Sequence, residues 1–152
     1  MANTQAFCSQ AKVDMANGLH ALGASVIRAG TTKDTYKAAL YLATATVNAA
    51  TTVYSATGEV TGTNYTAGGV VVTNATAPAL DGTTMHWTPS ASITYTNVTL
   101  ATAFDAVEIY NDTSATKLAL SVHTFGSQTV TAGDFTLTMP TNDGTTGLIR
   151  NA

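Results

Sequence analysis

Charged side chains are scarce in this sequence: Asp, Glu, Lys and Arg make up 10% of its 152 residues, against about 25% in an ordinary soluble domain. A free monomer usually keeps a charged surface for solubility. The six basic residues are scattered singly and the formal net charge is −3, which leaves no basic stripe for a nucleic-acid backbone. We therefore expect other protein subunits to cover much of the surface, the alternative being an extracellular β-domain with a neutral polar surface. We expect no nucleic-acid partner.

Cysteine and long apolar runs are also lacking. Cys8 stands alone, so no internal disulfide can form and the fold must hold by packing. We interpret it as a small residue on a helix, because a reactive thiolate needs an activating neighbour. The stretch "MANTQAFCSQ" has no basic region followed by an apolar run, and no window reaches the roughly 18 apolar residues of a membrane span. We expect a soluble chain with no secretion signal and no membrane partner.

The residue types that most enzyme active sites use are present, but they do not stand at the spacings that a metal site or an acid–base pair needs. His20, His86 and His123 lie far apart in the chain, with no pair at a metal-ligand spacing, and we interpret them as surface or edge histidines. Asp105 and Glu108 are three residues apart. On a strand that odd separation puts them on opposite faces, so they cannot act as a paired acid and base.

No glycine-rich phosphate loop and no G-x-S-x-G elbow occurs. Asp112, Asp134 and Asp143 stand in turn-like contexts, where Asp commonly caps its own backbone. Calcium binding is the open alternative for them, and it would need several converging oxygens. We predict no catalytic residue, no metal site, no cofactor and no enzymatic activity.

Threonine is abundant, at about a fifth of the chain, and four Asn-x-Thr triplets follow from this by chance. They begin at Asn64, Asn74, Asn97 and Asn111. Four aromatic side chains are candidates for stacking on sugars at an exposed tip, namely Tyr54, Tyr65, Trp87 and Tyr110. Trp87 is better explained as a core residue because it alternates with Met85.

One amphipathic helix is predicted near residues 5–22. Its apolar positions recur at spacings of four and three, at Phe7, Ala11, Met15, Leu19 and Leu22. Gly18 weakens this helix and Gly23 is a natural stop. The stripe must cover either the end of its own β-domain or a neighbouring subunit. The candidate partner-interface residues are Phe7, Met15, Leu19 and Leu22.

After Gly30 the pattern changes to short alternating runs, which is typical of antiparallel strands. The runs are "TYKAALYLAT", "TMHWT", "SITYTN", "DAVEIY", "KLALSVHTF" and "DFTLTMP". In the second run Met85 and Trp87 share a face and His86 stands on the polar one. We predict a mainly β fold, an antiparallel, jelly-roll-like β-sandwich of about eight strands. Residues 1–30 hold the N-terminal helix and a lead-in strand, and residues 31–152 form the sandwich, together one structural domain.

In the stretch "TNYTAGGVVVTN", residues 63–74, only Thr and Asn side chains could take part in chemistry, so we interpret it as part of the scaffold. Its glycines permit positive φ or close backbone approach, and "VVV" predicts a strand that is apolar on both faces, in a sheet covered twice. Residues 74–84 contain Pro78 and the pair Asp81-Gly82, which predicts a long connection or exposed loop. Residues 110–117 predict a turn between two strands.

Three long segments are similar to small structural proteins encoded by tailed bacteriophages. They are "TYKAALYLATATVNAATTVYSATGEVTGTNYTAGG", "AFDAVEIYNDTS" and "FGSQTVTAGDFTLTMPTNDGTTGLIR". The resemblance covers most of the chain and rests on the order of "ALY", "GEVTGTNYTAGG", "YND" and "FTLTMP". These are scaffold elements, so no residue is assigned a function through them.

The resemblance implies a virion component made in the host bacterial cytoplasm. Such proteins serve as capsid decoration, as neck or tail parts, or as fibre-attachment modules. We expect a capsid decoration or cement protein that forms a homo-oligomer, with a trimer favoured, on the major capsid protein or other virion proteins. The alternative is a neck, tail or fibre-adaptor subunit, with contact to host glycans.

Overall fold

The computed structural model describes residues 2–16, 18–22 and 33–152. This part of the chain contains eight β-strands and one α-helix. In chain order they are β1 Ala6–Phe7, α1 Ser9–Ala16, β2 Tyr36–Leu42, β3 Val70–Val72, β4 Ala79–Asp81, β5 Thr84–Trp87, β6 Ile93–Asn111, β7 Ala119–Leu137 and β8 Ile149–Asn151.

The strands form two antiparallel sheets. The larger sheet has the order β1-β7-β6-β2-β3 and the smaller one the order β4-β5-β8. This confirms the predicted mainly β, antiparallel architecture with about eight strands and one N-terminal helix. None of the described helices is long and apolar enough to cross a membrane.

A hairpin of two 19-residue strands, β6 and β7, is the frame of the molecule. It pairs from Tyr110↔Ala119 beside the turn to Ile93↔Leu137 at the far end, with five shifts of register. Such irregularities bend a strand and increase its twist, which lets one continuous ladder follow a curved core. Four of the alternating sequence runs therefore belong to only two strands, and the predicted turn at residues 110–117 joins them.

Strand β2 is buried on both faces. Tyr36, Ala38 and Leu40 are fully buried on one face, and Ala39 and Tyr41 on the other. The smaller sheet packs against the first face, where the Tyr36 and Trp87 rings lie 6.1 Å apart. The other face is covered by the segment 43–69, which bonds to the backbone of β2 through Val60 N to Leu40 O at 3.0 Å and to the β6–β7 turn through Tyr54 N to Lys117 O at 2.9 Å.

Strand β3 corrects one prediction and confirms another. It lies at the edge of the larger sheet, and Val71 is 60% exposed while Val72 is buried, so this strand is not covered on both faces. The preceding glycines behave as predicted: Gly68 and Gly69 have φ values of 87° and 74°. A Cβ on Gly69 would stand 1.7 Å from the carbonyl oxygen of Ala38, so only glycine fits this close approach.

The helix is shorter than the predicted span 5–22. Phe7 belongs to β1, which pairs with β7 through Phe7↔Ser121. At the other end Gly18 has φ 71°, and the amide groups of Gly18 and Leu19 donate to the carbonyls of Met15 and Asp14 at 3.0 and 2.8 Å. This is the glycine-capped Schellman arrangement. Gly18 therefore ends the helix, whereas the sequence predicted an end at Gly23, which lies outside the described residues.

The segment predicted as a loop at residues 74–84 contains a strand. Ala79–Asp81 forms β4 and pairs with β5 in the register Asp81↔Thr84. Gly82 has φ 59° in the intervening turn, so the Asp81-Gly82 signal marked a tight hairpin turn. All three residues of β4 are exposed. The sequence therefore shows no alternation of apolar and polar residues that would predict this strand.

Candidate functional site

The four candidate partner-interface residues do not form one surface. Leu22 is buried in the core, and Phe7 and Met15 are partly buried and packed against it. Leu19 alone of the four is exposed, at 46%. Its backbone is fixed, because Leu19 O accepts a hydrogen bond of 3.1 Å from Asn111 Nδ2. Most of the predicted stripe therefore packs on its own domain, and Leu19 remains the candidate for contact with another subunit.

Two of the three histidines are buried, which corrects the prediction that all lie on the surface. His20 stacks on Tyr36 at 5.9 Å, with Nδ1 3.1 Å from the Tyr36 hydroxyl. His86 Nδ1 lies 3.1 Å from Asn142 Oδ1. Each ring thus completes the local packing and bonding of its own region.

His123 is half-buried on β7, with Nε2 2.9 Å from Ser121 Oγ. Burial lowers the pKa of His123 to about 4, so the ring is neutral at physiological pH. Across the described residues, no group of three His, Cys, Asp or Glu side chains could hold a metal ion.

Cys8 lies directly before α1 and is fully buried. Burial, and next the charge of Glu108, raises the pKa of its thiol to about 12. Because the thiolate is the reactive form, this environment disfavours nucleophilic chemistry at Cys8. It also places the thiol within electrostatic reach of Glu108.

Asp143 caps the backbone of its own turn, as predicted, whereas Asp134 lies within β7 and caps an amide of β6, and Asp112 pairs with Lys37 and Lys117. Asp143 Oδ1 accepts from Thr145 N at 2.8 Å and Thr146 N at 2.6 Å. Asp134 Oδ1 accepts from Asn97 N at 2.7 Å. The Asp143 hydrogen bonds, that from Thr146 N first, lower the pKa of its carboxyl.

The aromatic residues considered for sugar contact are not exposed. Trp87 and Tyr110 are buried, and Tyr54 and Tyr65 are half-buried. Tyr54 stacks on Tyr110 at 4.6 Å, and Trp87 Nε1 donates to Thr76 O at 3.0 Å. These side chains belong to the packing of the molecule, as predicted for Trp87.

A buried carboxyl that the sequence did not reveal, that of Glu59, lies within the segment 43–69. Glu59 Oε1 accepts from the Tyr65 hydroxyl and from Gly68 N, both at 2.7 Å. Its Oε2 accepts from the Tyr54 hydroxyl at 2.6 Å. All three donors are neutral. Since a buried charged group must be hydrogen-bonded to be tolerated, this network holds together the part of the segment between Tyr54 and Gly68.

Glu108 is in the opposite situation. It is fully buried, and neither carboxyl oxygen has a hydrogen-bond partner. Burial raises the pKa of Glu108 to about 7, and the nearby Glu59 charge adds to this effect. The Tyr41 hydroxyl opposes the shift, but it donates its hydrogen bond to Ser55 O at 2.6 Å.

Glu108 lines a pocket of about 400 Å³, which we name the Glu108 pocket. Glu108 and Tyr41 form its buried floor, and the segment 43–58 forms its walls. Exposed hydroxyl side chains surround the mouth, at Thr44, Thr46, Ser55 and Thr57. In the sequence, Glu108 stands out only as a candidate acid–base partner of Asp105. Asp105 instead accepts a hydrogen bond of 2.5 Å from Asn3 Nδ2.

No protein-family model matches the sequence. The same holds for curated protein sequences and for solved structures, among which no match is found.

Proposed function

We propose that this chain is a non-enzymatic virion structural protein of a tailed phage, a capsid decoration or cement protein that stabilises the head by protein–protein contacts. The proposal begins from the resemblance of the three sequence segments to small phage structural proteins. The observation on the molecule that carries it is a long strand edge that has almost no charge and, among the described residues, no strand beside it.

This edge belongs to β7. Strand β1 pairs only with Ser121 and Val122, and over the described residues no other strand lies on the outer side of β7. Residues 123–137 read "HTFGSQTVTAGDFTL" and contain one acid, Asp134, and no Lys, Arg or Pro. Monomeric proteins usually protect such an edge with charge, proline or a covering element, because it invites pairing with another chain.

Exposed apolar side chains also support the proposal. Leu80 is 72% exposed and Val71 is 60% exposed, and both lie on strands, β4 and β3. Single exposed apolar residues are ordinary. Together with a free strand edge and a charge-poor composition, they favour a surface that is covered by other subunits.

The mechanism of such a protein would be binding alone. An interface of about 1,600 Å² is typical of a stable contact. When the contact is repeated many times over a shell, avidity adds strength without any new chemistry. The buried thiol at Cys8 and the hydrogen-bonded carboxyl at Glu59 fit structural roles in this account.

The oligomerisation part of the proposal is tested at the free edge. Light scattering should give a homo-oligomer for the purified chain, and Thr131→Lys should shift it towards monomer by placing a charge along β7. The matched control is Thr96→Lys, an exposed threonine on β6. Monomeric wild-type protein, or equal effects of the two lysines, would contradict a role for the edge.

The capsid part is tested on particles. Heads assembled without this chain should bind the purified protein in many copies per head, and bound heads should resist heat and osmotic shock better than bare heads. Binding in only a few copies per particle would favour the neck, tail or fibre-adaptor alternative. Absence of binding to heads and tails alike would contradict both.

A further inference from the structure

We propose that the Glu108 pocket is a binding site for an alkylammonium group, R–NH₃⁺, which enters past the threonine rim and pairs with the Glu108 carboxylate. This inference is independent of the proposed structural function. It rests on three features of the pocket, namely an unsatisfied acceptor, the absence of a counter-charge and the chemistry of the walls.

The unsatisfied acceptor is the first feature. A carboxylate can accept about four hydrogen bonds, yet both oxygens of Glu108 have none. Buried polar groups are nearly always satisfied in folded proteins, so an exception calls for an explanation. The contrast with Glu59 is direct, since that buried carboxyl accepts three hydrogen bonds a short distance away. A ligand carrying N–H donors would supply at Glu108 what the chain supplies at Glu59.

The second feature is charge. The lining of the pocket includes no Lys, Arg or His. The basic side chains that the structure describes are all engaged elsewhere: Lys37 and Lys117 with Asp112 at 3.4 and 2.6 Å, Lys33 with Asn74 O, and Arg150 with Thr145 O. The Glu59 carboxyl adds a second negative charge near Glu108. The site is therefore electrostatically suited to a cation.

The third feature is the kind of cation. A calcium ion takes six to eight oxygens and a zinc ion about four ligands from Cys, His, Asp or Glu, and among the described residues no group of three such side chains could hold a metal ion. An ammonium group has three donors. Two can reach the Glu108 carboxylate, and hydroxyl or carbonyl oxygens in the wall can accept the third. Val47 and Val53 in the wall suit the apolar carbons of an alkyl chain.

The titratable groups around the site set its pH dependence. Those that interact with Glu108 are Tyr41 on β2, Tyr54 and Glu59 in the segment 43–69, Tyr110 on β6 and Cys8 before α1. The three tyrosines and the thiol have raised pKa values, so all four remain neutral near pH 7. With the pKa of Glu108 at about 7, the carboxylate is the minor form at pH 6 and the major form at pH 8. An alkylammonium with a pKa of about 10 stays charged at both.

The test is calorimetric titration of the full chain with n-butylammonium chloride at constant ionic strength. We expect saturable binding that is about tenfold tighter at pH 8 than at pH 6. Glu108→Gln keeps the shape of the side chain and should weaken binding by about tenfold or more. Asp134→Asn removes the same charge outside the pocket and should leave binding unchanged. Thr44→Trp leaves Glu108 in place, blocks the mouth and should abolish binding.

Two further probes separate the source of the ammonium group and the cause of binding. Capped lysine, with acetyl and methylamide ends, carries the group as a protein side chain does, and its binding would indicate a lysine of a neighbouring subunit as the natural ligand. Binding of butylammonium but not of capped lysine would indicate a free amine. Equal binding of neutral 1-butanol, unchanged affinity in folded Glu108→Gln protein, or no binding at pH 8 would overturn the proposal.

Discussion

Replacing Gly69 with alanine tests the close approach of its backbone to Ala38. Gly69 has φ 74°, a conformation that costs an L-residue about 1–2 kcal/mol. The added methyl carbon would stand 1.7 Å from Ala38 O and 2.8 Å from Ala39 Cα, so β2 and the segment before β3 would have to separate. Because Ala38 pairs with Val70, that movement breaks the ladder beside the mutation.

The expected cost follows from these parts. Ala38 O also accepts a hydrogen bond of 2.7 Å from the Tyr95 hydroxyl, and displacing it would leave buried polar groups unsatisfied at about 1–3 kcal/mol. Together with the backbone strain, we expect a loss of about 2–5 kcal/mol in the free energy of unfolding, a large share of the total of about 5–15 kcal/mol for a natural domain.

The assay is urea denaturation followed by circular dichroism, with Gly82→Ala as the matched control. Gly82 has φ 59° and no atom within 4 Å of an added Cβ, so it bears the strain alone, about 1–2 kcal/mol. Equal midpoint shifts for the two variants would refute the reasoning, because they would mean that the approach of Gly69 to Ala38 has no energetic consequence.

Three further predictions address the core, the N-terminal segment and the buried carboxyl. The pKa of Glu108 is raised from 4.5 to about 7, so the folded state retains a proton that the unfolded state loses; the free energy of unfolding should fall by about 3 kcal/mol as pH rises from 4.5 to 7. Urea midpoints across that range should show this fall, and Glu108→Gln should remove it; a flat wild-type profile would count against the buried carboxyl. Leu22→Ala should lower the free energy of unfolding by about 2–5 kcal/mol, because it leaves a cavity in the core. Leu19→Ala should leave the urea midpoint unchanged and weaken assembly in light scattering. The reverse pattern would contradict the placement of Leu22 in the core and Leu19 on the surface. Leu120→Asp places an unpaired charge at a fully buried position and should yield unfolded protein by circular dichroism, so a native spectrum would contradict the described core.

The strands could be predicted because their apolar side chains alternate. The alternation predicted β2 through Tyr36 and Leu40, and β6 through Ile109. The paired glycines at residues 68 and 69 predicted positive φ values or a close backbone approach, and the structure confirms both. Alternation does not show whether two consecutive runs belong to one continuous strand or to two strands joined by a turn. The breaks between the runs of β6 and β7 are register shifts inside continuous strands, and a single sequence does not distinguish those from turns.

The helix end and the buried polar groups could not be predicted for a different reason. The helix ends at Gly18, where the amides of Gly18 and Leu19 donate to the carbonyls of Met15 and Asp14, and the periodic pattern past it was coincidental. Glu59 lies within the segment 43–69 and Glu108 beneath it, and the path of this segment over the sheet depends on contacts between residues far apart in sequence. Local patterns gave no sign of either carboxyl.

Gold-labelled negative staining of intact virions tests the proposed function most directly. With a tag on the chain and a matched phage that carries no tag, the proposal of a decoration protein predicts label distributed over the whole head surface. Label confined to one vertex or to the tail would contradict capsid decoration and place the chain at the neck, tail or fibre. Particles that carry no label at all would contradict a virion role.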